Sequence, residues 1–254
     1  MAHKVLLFLG AGRNVGASSV ELFKNKGYKV ASVARTIKDE VRTHSDLCLT
    51  ADLSNPSTIK SIFERVEKEL GPPNVVSMGP DPANSVSTSL EDFQKDLAIN
   101  TVSAYAAAQA AVEGFKRLPR TIKKTFIYTG NNGNTFIFPQ FLLLGIGKSA
   151  AWYLIQTMVA TPGYAAEGYS FYFADERMPE GKAMHYISGP GHAEFFLQLA
   201  EQDGQGEPLA TFVRGKGYVG FERDQRATLP KVTIEEILDP RYGANGTAEA
   251  RYGH

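Results

Sequence analysis

The run Val5-Leu6-Leu7-Phe8-Leu9-Gly10-Ala11-Gly12-Arg13-Asn14-Val15-Gly16 constrains the fold more than any other stretch of the chain. Consecutive apolar residues without polar alternation read as a strand buried on both faces, the pattern of a parallel sheet. The glycines at 10, 12 and 16 then predict a tight turn into a helix that starts near Asn14. Glycine at such a junction lets the backbone approach a phosphate, and the leading N–H groups and dipole of the helix favour the anion. The stretch is a candidate dinucleotide pyrophosphate site, with Gly10, Gly12, Arg13, Asn14, Val15 and Gly16 around the phosphates. Tight turns also use glycine for purely steric reasons, so the turn alone does not decide the matter.

Strand and helix patterns alternate downstream. Apolar strands are predicted over 28–34, 46–50, 74–78, 124–129, 169–173 and 209–213. Helical patterns lie between them, at 17–26, 54–70, 90–117, 141–160 and 191–201, the first ended by Gly27 and the second by Gly71-Pro72-Pro73. Such alternation predicts an α/β, Rossmann-like, doubly wound parallel sheet with helices on both faces, built as a single domain over residues 1–238. The remainder, 239–254, is rich in glycine and alanine without periodicity and reads as a tail.

The end of the second strand faces the adenosine ribose in such a sheet. An acid there accepts from a 2′-hydroxyl, whereas an arginine pairs with a 2′-phosphate. The residues at that place are Arg35 and Thr36, which with Arg13 favour NADP(H) over NAD(H); a solvated surface arginine is the other reading.

The bulk numbers close several other routes. With 27 basic and 27 acidic residues in 254, the formal charge is zero, and no nucleic-acid partner is expected. Cys48 is the sole cysteine, so no intramolecular disulfide forms, and its apolar neighbours make it a small core residue. The apolar stretch 136–160 is interrupted by Pro139, Gly145, Gly147 and Lys148 and reads as a buried helix with its approach, not a membrane span. A cytoplasmic protein is expected.

Four motifs, in order, make the chain similar to the short-chain dehydrogenase/reductase family. Its cofactor fingerprint resembles Gly10 to Gly16, with Asn14 where the family usually has glycine. Ala51-Asp52-Leu53 resembles the family's aspartate after the third strand, which contacts the adenine amino group. Asn100, in Leu97-Ala98-Ile99-Asn100-Thr101, resembles the helix asparagine that supports a catalytic water. Lys148, in Gly147-Lys148-Ser149-Ala150-Ala151, resembles the lysine that binds the nicotinamide ribose. The resemblance covers the chain to about residue 220, and it implies Gly79, after the fourth strand, as a further cofactor contact. It also implies a homodimer or homotetramer formed through the two long helices.

The departures bear on the chemistry. The family's tyrosine, one helical turn before the lysine, is Leu144 here. The place of the family's serine reads Thr129-Gly130-Asn131-Asn132, and the Pro-Gly after the sixth strand is replaced by Ala174-Asp175-Glu176. The resemblance therefore implies an oxidoreductase with a non-standard proton donor. Tyr128, Tyr153, His185 and His192 are the candidates, and Tyr153 lies off the Lys148 face. With Lys148 and Asn100, Thr129 and Tyr128 complete the catalytic set. Phe136, Ile137, Phe138, Phe141 and Leu144 would form an apolar wall suited to an apolar carbonyl or alcohol. Two other readings stay open. One is a lyase, isomerase or cyclase, or an inactive nucleotide-binding module, on the same fold. The other is a regulatory module whose partner senses bound NADP(H) through an acidic Asp175-Glu176 corner and the 239–254 tail.

Overall fold

The computed structural model describes residues 4–78, 89–137 and 141–221. Its centre is an eight-stranded sheet of order β3-β2-β1-β4-β5-β6-β7-β8. The strands are β1 (Val5–Leu9), β2 (Lys29–Ala34), β3 (Leu47–Thr50), β4 (Val75–Met78), β5 (Lys124–Thr129), β6 (Tyr169–Glu176), β7 (Leu209–Val213) and β8 (Gly217–Tyr218). All neighbours pair in parallel except β7 and β8. Helices α1 (Val15–Asn25), α2 (Asp39–Arg42), α3 (Thr58–Leu70), α4 (Leu90–Leu97), α5 (Ser103–Phe115), α6 (Leu142–Ala160) and α7 (Gly189–Glu201) link them.

The apolar run that begins the chain shows why both faces are covered. Side chains alternate along a strand, so Val5, Leu7 and Leu9 enter one core with residues of α3, α5 and α6. Leu6 and Phe8 enter the other, with Val20 and Phe23 of α1 and Phe195 and Phe196 of α7. A strand buried on both sides favours apolar residues at every position, which accounts for its unbroken apolar sequence. β1 lies between β2 and β4, the place where strand order reverses. In sheets of this kind, the crevice beyond the carboxyl ends of those strands is where ligands bind.

Four features differ from the expectation. The helix predicted over 90–117 is α4 and α5 joined by a wider π turn at Ala98–Val102, which carries Asn100. Such turns often mark functional sites in helices. β6 runs three residues beyond 173, because Asp175 and Glu176 continue the ladder opposite Thr211 and Phe212. These two residues are therefore buried, at 1% and 3% exposure, and form no acidic surface corner. The reading that placed a partner-binding surface there is corrected accordingly. Helix α2 and strand β8 are additions that the sequence patterns did not reveal.

Helix α6 is long and apolar enough by composition to cross a bilayer. Its buried residues, Leu143, Gly147, Lys148, Ala151 and Ile155, make one stripe that faces the sheet.

Candidate functional site

The site begins at the turn after β1. Gly10 has φ of 81°, a conformation open to glycine. The amides of Gly10 and Ala11 both donate to the Val33 carbonyl at 2.9 Å, which fixes the turn to the end of β2. At Gly16 a Cβ would lie 2.7 Å from the Ala11 backbone, so the helix can approach the turn only with glycine there. At Gly12 a Cβ would meet nothing within 4 Å, and that face of the backbone is open to a ligand. Helix α1 starts at Val15, and its leading amides have no intrahelical acceptor.

From this turn a cleft of about 300 Å³ extends over the ends of β2 and β3. Arg13, Arg35, Thr36 and Lys38 line one side of it, and Asp52, Leu53, Ser54 and Ile99 the other. Asp52 accepts from the Ser54 amide at 3.0 Å. That bond, with Arg35 and Lys95 nearby, holds its carboxyl below the usual range. Arg13 lies 3.3 Å from Glu40 in an exposed pair. The cleft thus gathers Gly10, Gly12, Arg13, Arg35, Thr36, Asp52 and Leu53. Val15 and Gly16 stand behind it at the start of α1. Asn14 turns its side chain elsewhere and donates from Nδ2 to the Ile187 carbonyl at 2.9 Å. Gly79 and Phe138 lie outside the described residues.

The second part of the site lies beneath the π turn, between β5 and α6. Lys148 is fully buried, donates from Nζ to the Thr129 carbonyl at 2.8 Å, and stands 3.5 Å from the Tyr128 hydroxyl. The same ammonium lies over the Tyr128 ring, 4.6 Å from its centre. The Tyr128 hydroxyl donates to the Asn100 carbonyl at 3.2 Å, and Asn100 Nδ2 donates to Asp96 at 3.1 Å. Tyr128, Thr129, Lys148 and Asn100 are therefore brought together, with Asp96 as a fifth member. Asp96 stands one helical turn before Asn100, a spacing that was available to find it. Gly147 makes the contact close, since a Cβ there would be 3.1 Å from Asn100 Cβ.

Burial sets the electrostatics. It lowers the Lys148 ammonium to about 7, against the opposing pull of Asp175 and Asp96. It also raises the Tyr128 phenol, helped by Asp96, so that this hydroxyl stays protonated. Asp175 is raised to about 6 by burial, although Arg177 and Lys148 oppose the shift. Asn100 Oδ1, Thr129 Oγ1 and Asn132 Nδ2 are buried without a hydrogen-bond partner among the described residues, so each has capacity left for a ligand or a water.

The remaining candidates are spread apart. Tyr153 is 73% exposed on α6. His192 is buried against Phe196 and Phe212, and burial lowers it to about 4, so it is neutral. Burial likewise lowers His185. In the predicted apolar wall, Phe136, Phe141 and Leu144 are half-buried and Ile137 is exposed.

Comparison with known proteins gives the family and the fold. A family model described as enoyl-(acyl carrier protein) reductase matches residues 10–157. The short chain dehydrogenase/reductase dmxR12 of Cryptosporiopsis sp. (strain 8999) is 38% identical over 242 residues, 88% of this chain and 97% of that protein. The chain belongs to the short-chain dehydrogenase/reductase family. A 3-oxoacyl-[acyl-carrier-protein] reductase of Rattus norvegicus is 27% identical over 63% of this chain and 75% of its own length. Solved structures of the family share the fold. A short-chain dehydrogenase/reductase from Serratia marcescens superposes with TM-score 0.69 at 17% identity, covering 84% of this chain and 97% of its own. An alcohol dehydrogenase from Thermococcus sibiricus, complexed with 5-hydroxy-NADP, does so with TM-score 0.68 at 17% identity, over 87% and 99%. Members of the family are oxidoreductases that bind nicotinamide cofactors and act on small molecules.

Proposed function

We propose that the chain is an NADP(H)-binding oxidoreductase for an apolar carbonyl or alcohol, with a proton donor other than the tyrosine replaced by Leu144. One observation carries the cofactor choice: the end of β2 presents Arg35 and Thr36 to the cleft, with Arg13 and Lys38 on the same side. An arginine there pairs with a 2′-phosphate, whereas a ribose diol calls for an acid. The open face of Gly12, the leading amides of α1 and the carboxylate of Asp52 fit the rest of a dinucleotide's adenosine half.

When bound, the nicotinamide supplies or accepts hydride. The protein must hold a proton for the substrate oxygen, and the Tyr128 hydroxyl beside Lys148, buried and donating to the Asn100 carbonyl, is the proposed donor. Burial keeps that phenol protonated, and Lys148, Tyr128, Asn100 and Asp96 form a chain of polar contacts from the interior to the half-buried Asp96. Thr129 holds the ammonium in place through its carbonyl. Leu144, Phe136 and Phe141 would give the substrate pocket its apolar side.

A second reading rests on the inward aim of Lys148 together with Leu144. The protein would bind the nucleotide without hydride transfer, as a lyase, isomerase, cyclase or inactive module. Calorimetric titration with NADPH and NADH, followed by a carbonyl screen at the nicotinamide absorbance, separates the two. Arg35→Asp is expected to weaken NADPH by about tenfold or more, the scale of one charge-assisted contact, and NADH much less. Equal weakening of both would remove the 2′-phosphate assignment.

We further propose a homodimer or homotetramer formed through α5 and α6. Val102 just before α5 and Tyr105 on it, with Leu142 and Tyr153 on α6, are large hydrophobic side chains exposed by 47–73%. Light scattering should report a multiple of the 27.7 kDa chain, and Tyr105→Glu with Tyr153→Glu should reduce it to one copy. A wild-type monomer at micromolar concentration would refute the proposal.

A further inference from the structure

Lys148 meets groups from three other strands and helices. The Tyr128 hydroxyl and the Thr129 carbonyl come from β5, and among the described residues two carboxylates pull on the ammonium, Asp175 of β6 and Asp96 in the last turn of α4. Asp175 is bound to Arg177, whose Nε donates to its Oδ2 at 2.6 Å, so a cation of its own offsets its charge. Asp96 accepts through Oδ1 from a neutral group, the Asn100 carboxamide, at 3.1 Å.

Helix α6 admits this carboxylate through a glycine. A Cβ at Gly147 would lie 3.1 Å from Asn100 Cβ and 3.6 Å from Asp96 Oδ2, so both side chains pack against the residue just before Lys148. One turn before the lysine stands Leu144, which brings no hydroxyl. Asn100 is held at two points, its Nδ2 by Asp96 and its carbonyl by the Tyr128 hydroxyl. An ionised carboxylate accepts and never donates, so Asp96 dictates that the NH₂ end of the carboxamide faces it. Asn100 Oδ1, buried and without a hydrogen-bond partner among the described residues, is the end left open.

We infer that Asp96 is a positioning residue for the reaction, because its carboxylate turns the Asn100 carboxamide so that Oδ1 stays open and sets a negative charge beside the Lys148 ammonium. This rests on the proposed hydride transfer with Tyr128 as donor, and the test keeps the two apart. NADPH-dependent reduction of a carbonyl panel is followed from pH 5 to 9 in the full chain. In the wild type the rate should decline as pH rises through about 7, where Lys148 loses its proton. Asp96→Asn removes the charge but keeps an acceptor, and its decline should come at a pH lower by about one, the scale of a single nearby opposite charge. Asp96→Ala removes the acceptor as well, and at pH 5 its rate should fall about tenfold below that of Asp96→Asn, the scale of one hydrogen bond to a charged group. A decline of Asp96→Asn at the wild-type pH, or equal rates for the two variants at pH 5, would overturn the inference. Urea unfolding supplies a readout that needs no cofactor. Below about pH 7 the lysine is buried as the cation, so the stability deficit of Asp96→Asn against wild type should shrink as pH rises from 6 to 9. A deficit that stays constant with pH would overturn the inference whatever the turnover. A wild type that shows no NADPH-dependent turnover would overturn the hydride-transfer reading, and the unfolding profile then decides on Asp96 by itself.

Discussion

Replacing Arg177 by methionine is expected to destabilise the protein by about 3–5 kcal/mol at neutral pH, the scale for breaking one side of a buried ion pair. Arg177 and Asp175 have side chains only 5% and 1% exposed, and Nε donates to Oδ2 at 2.6 Å. The guanidinium also donates to the Gly181 carbonyl at 2.9 Å and stacks 5.7 Å from the Phe136 ring centre, so it binds the strand end to the following loop. Methionine fills much of the volume but leaves the carboxylate of Asp175 without its first counter-charge. Asp175→Asn together with Arg177→Met should recover most of the loss, because then no charge is left buried and uncompensated. Urea denaturation reads both, and a single variant within about 1 kcal/mol of wild type would show that the pair contributes little.

The sign of the pH effect follows from the direction of the shift. Asp175 is raised from 3.8 to about 6 in the folded chain. Between those values the native state holds a proton that the unfolded chain has lost, so this group's stability contribution falls as pH rises through that window. Without Arg177 the carboxyl rises further, and the variant should lose stability over a wider range, extending above pH 6.

Lys148→Met is expected to lower NADPH-dependent turnover by about 10²–10⁴-fold, the range for losing general acid–base support. The ammonium stands beside the Tyr128 hydroxyl and is held by the Thr129 carbonyl, and methionine reproduces neither contact. A stability profile supplies a readout independent of turnover. Lys148 is lowered from 10.5 to about 7, so between those values the unfolded chain keeps a proton that the native chain has shed. The lysine therefore contributes a stability that increases as pH rises from about 7, at up to about 1.4 kcal/mol per pH unit. The difference between wild type and Lys148→Met should grow in the wild type's favour across that range. A difference that stays flat with pH would show that the buried ammonium keeps its ordinary affinity for protons.

Much of the fold was legible in local sequence. The unbroken apolar run at Val5–Leu9 forces burial on both faces, and the periodicity change after each glycine or proline cluster marks the return helices. The glycine turn after β1 was equally legible, because Gly10 needs its positive φ and Gly16 cannot carry a Cβ against Ala11. Arg35, Thr36 and Asp52 follow strand ends, and the cleft gathers them where strand order reverses.

Other features depend on neighbours far away in the chain. Asp175 and Glu176 read locally as polar loop residues after Phe173, yet pairing with Thr211 and Phe212 extends the strand through them, and Arg177 and Arg214 balance the buried charges. Tyr128 is an alternating strand residue in sequence; only the packing of α6 sets it beside Lys148, and only the π turn sets it beside Asn100. Asn14 stands in sequence only as the start of the first helix, yet its side chain donates across the fold to Ile187. Local sequence sets the parallel sheet, its crossover helices and the glycine turn after β1, because backbone sterics and hydrophobic periodicity act over a few residues. Which charges are buried, which phenol meets the lysine and where Asn14 donates were decided by tertiary structure, because desolvation and side-chain contacts arise only when distant elements pack together.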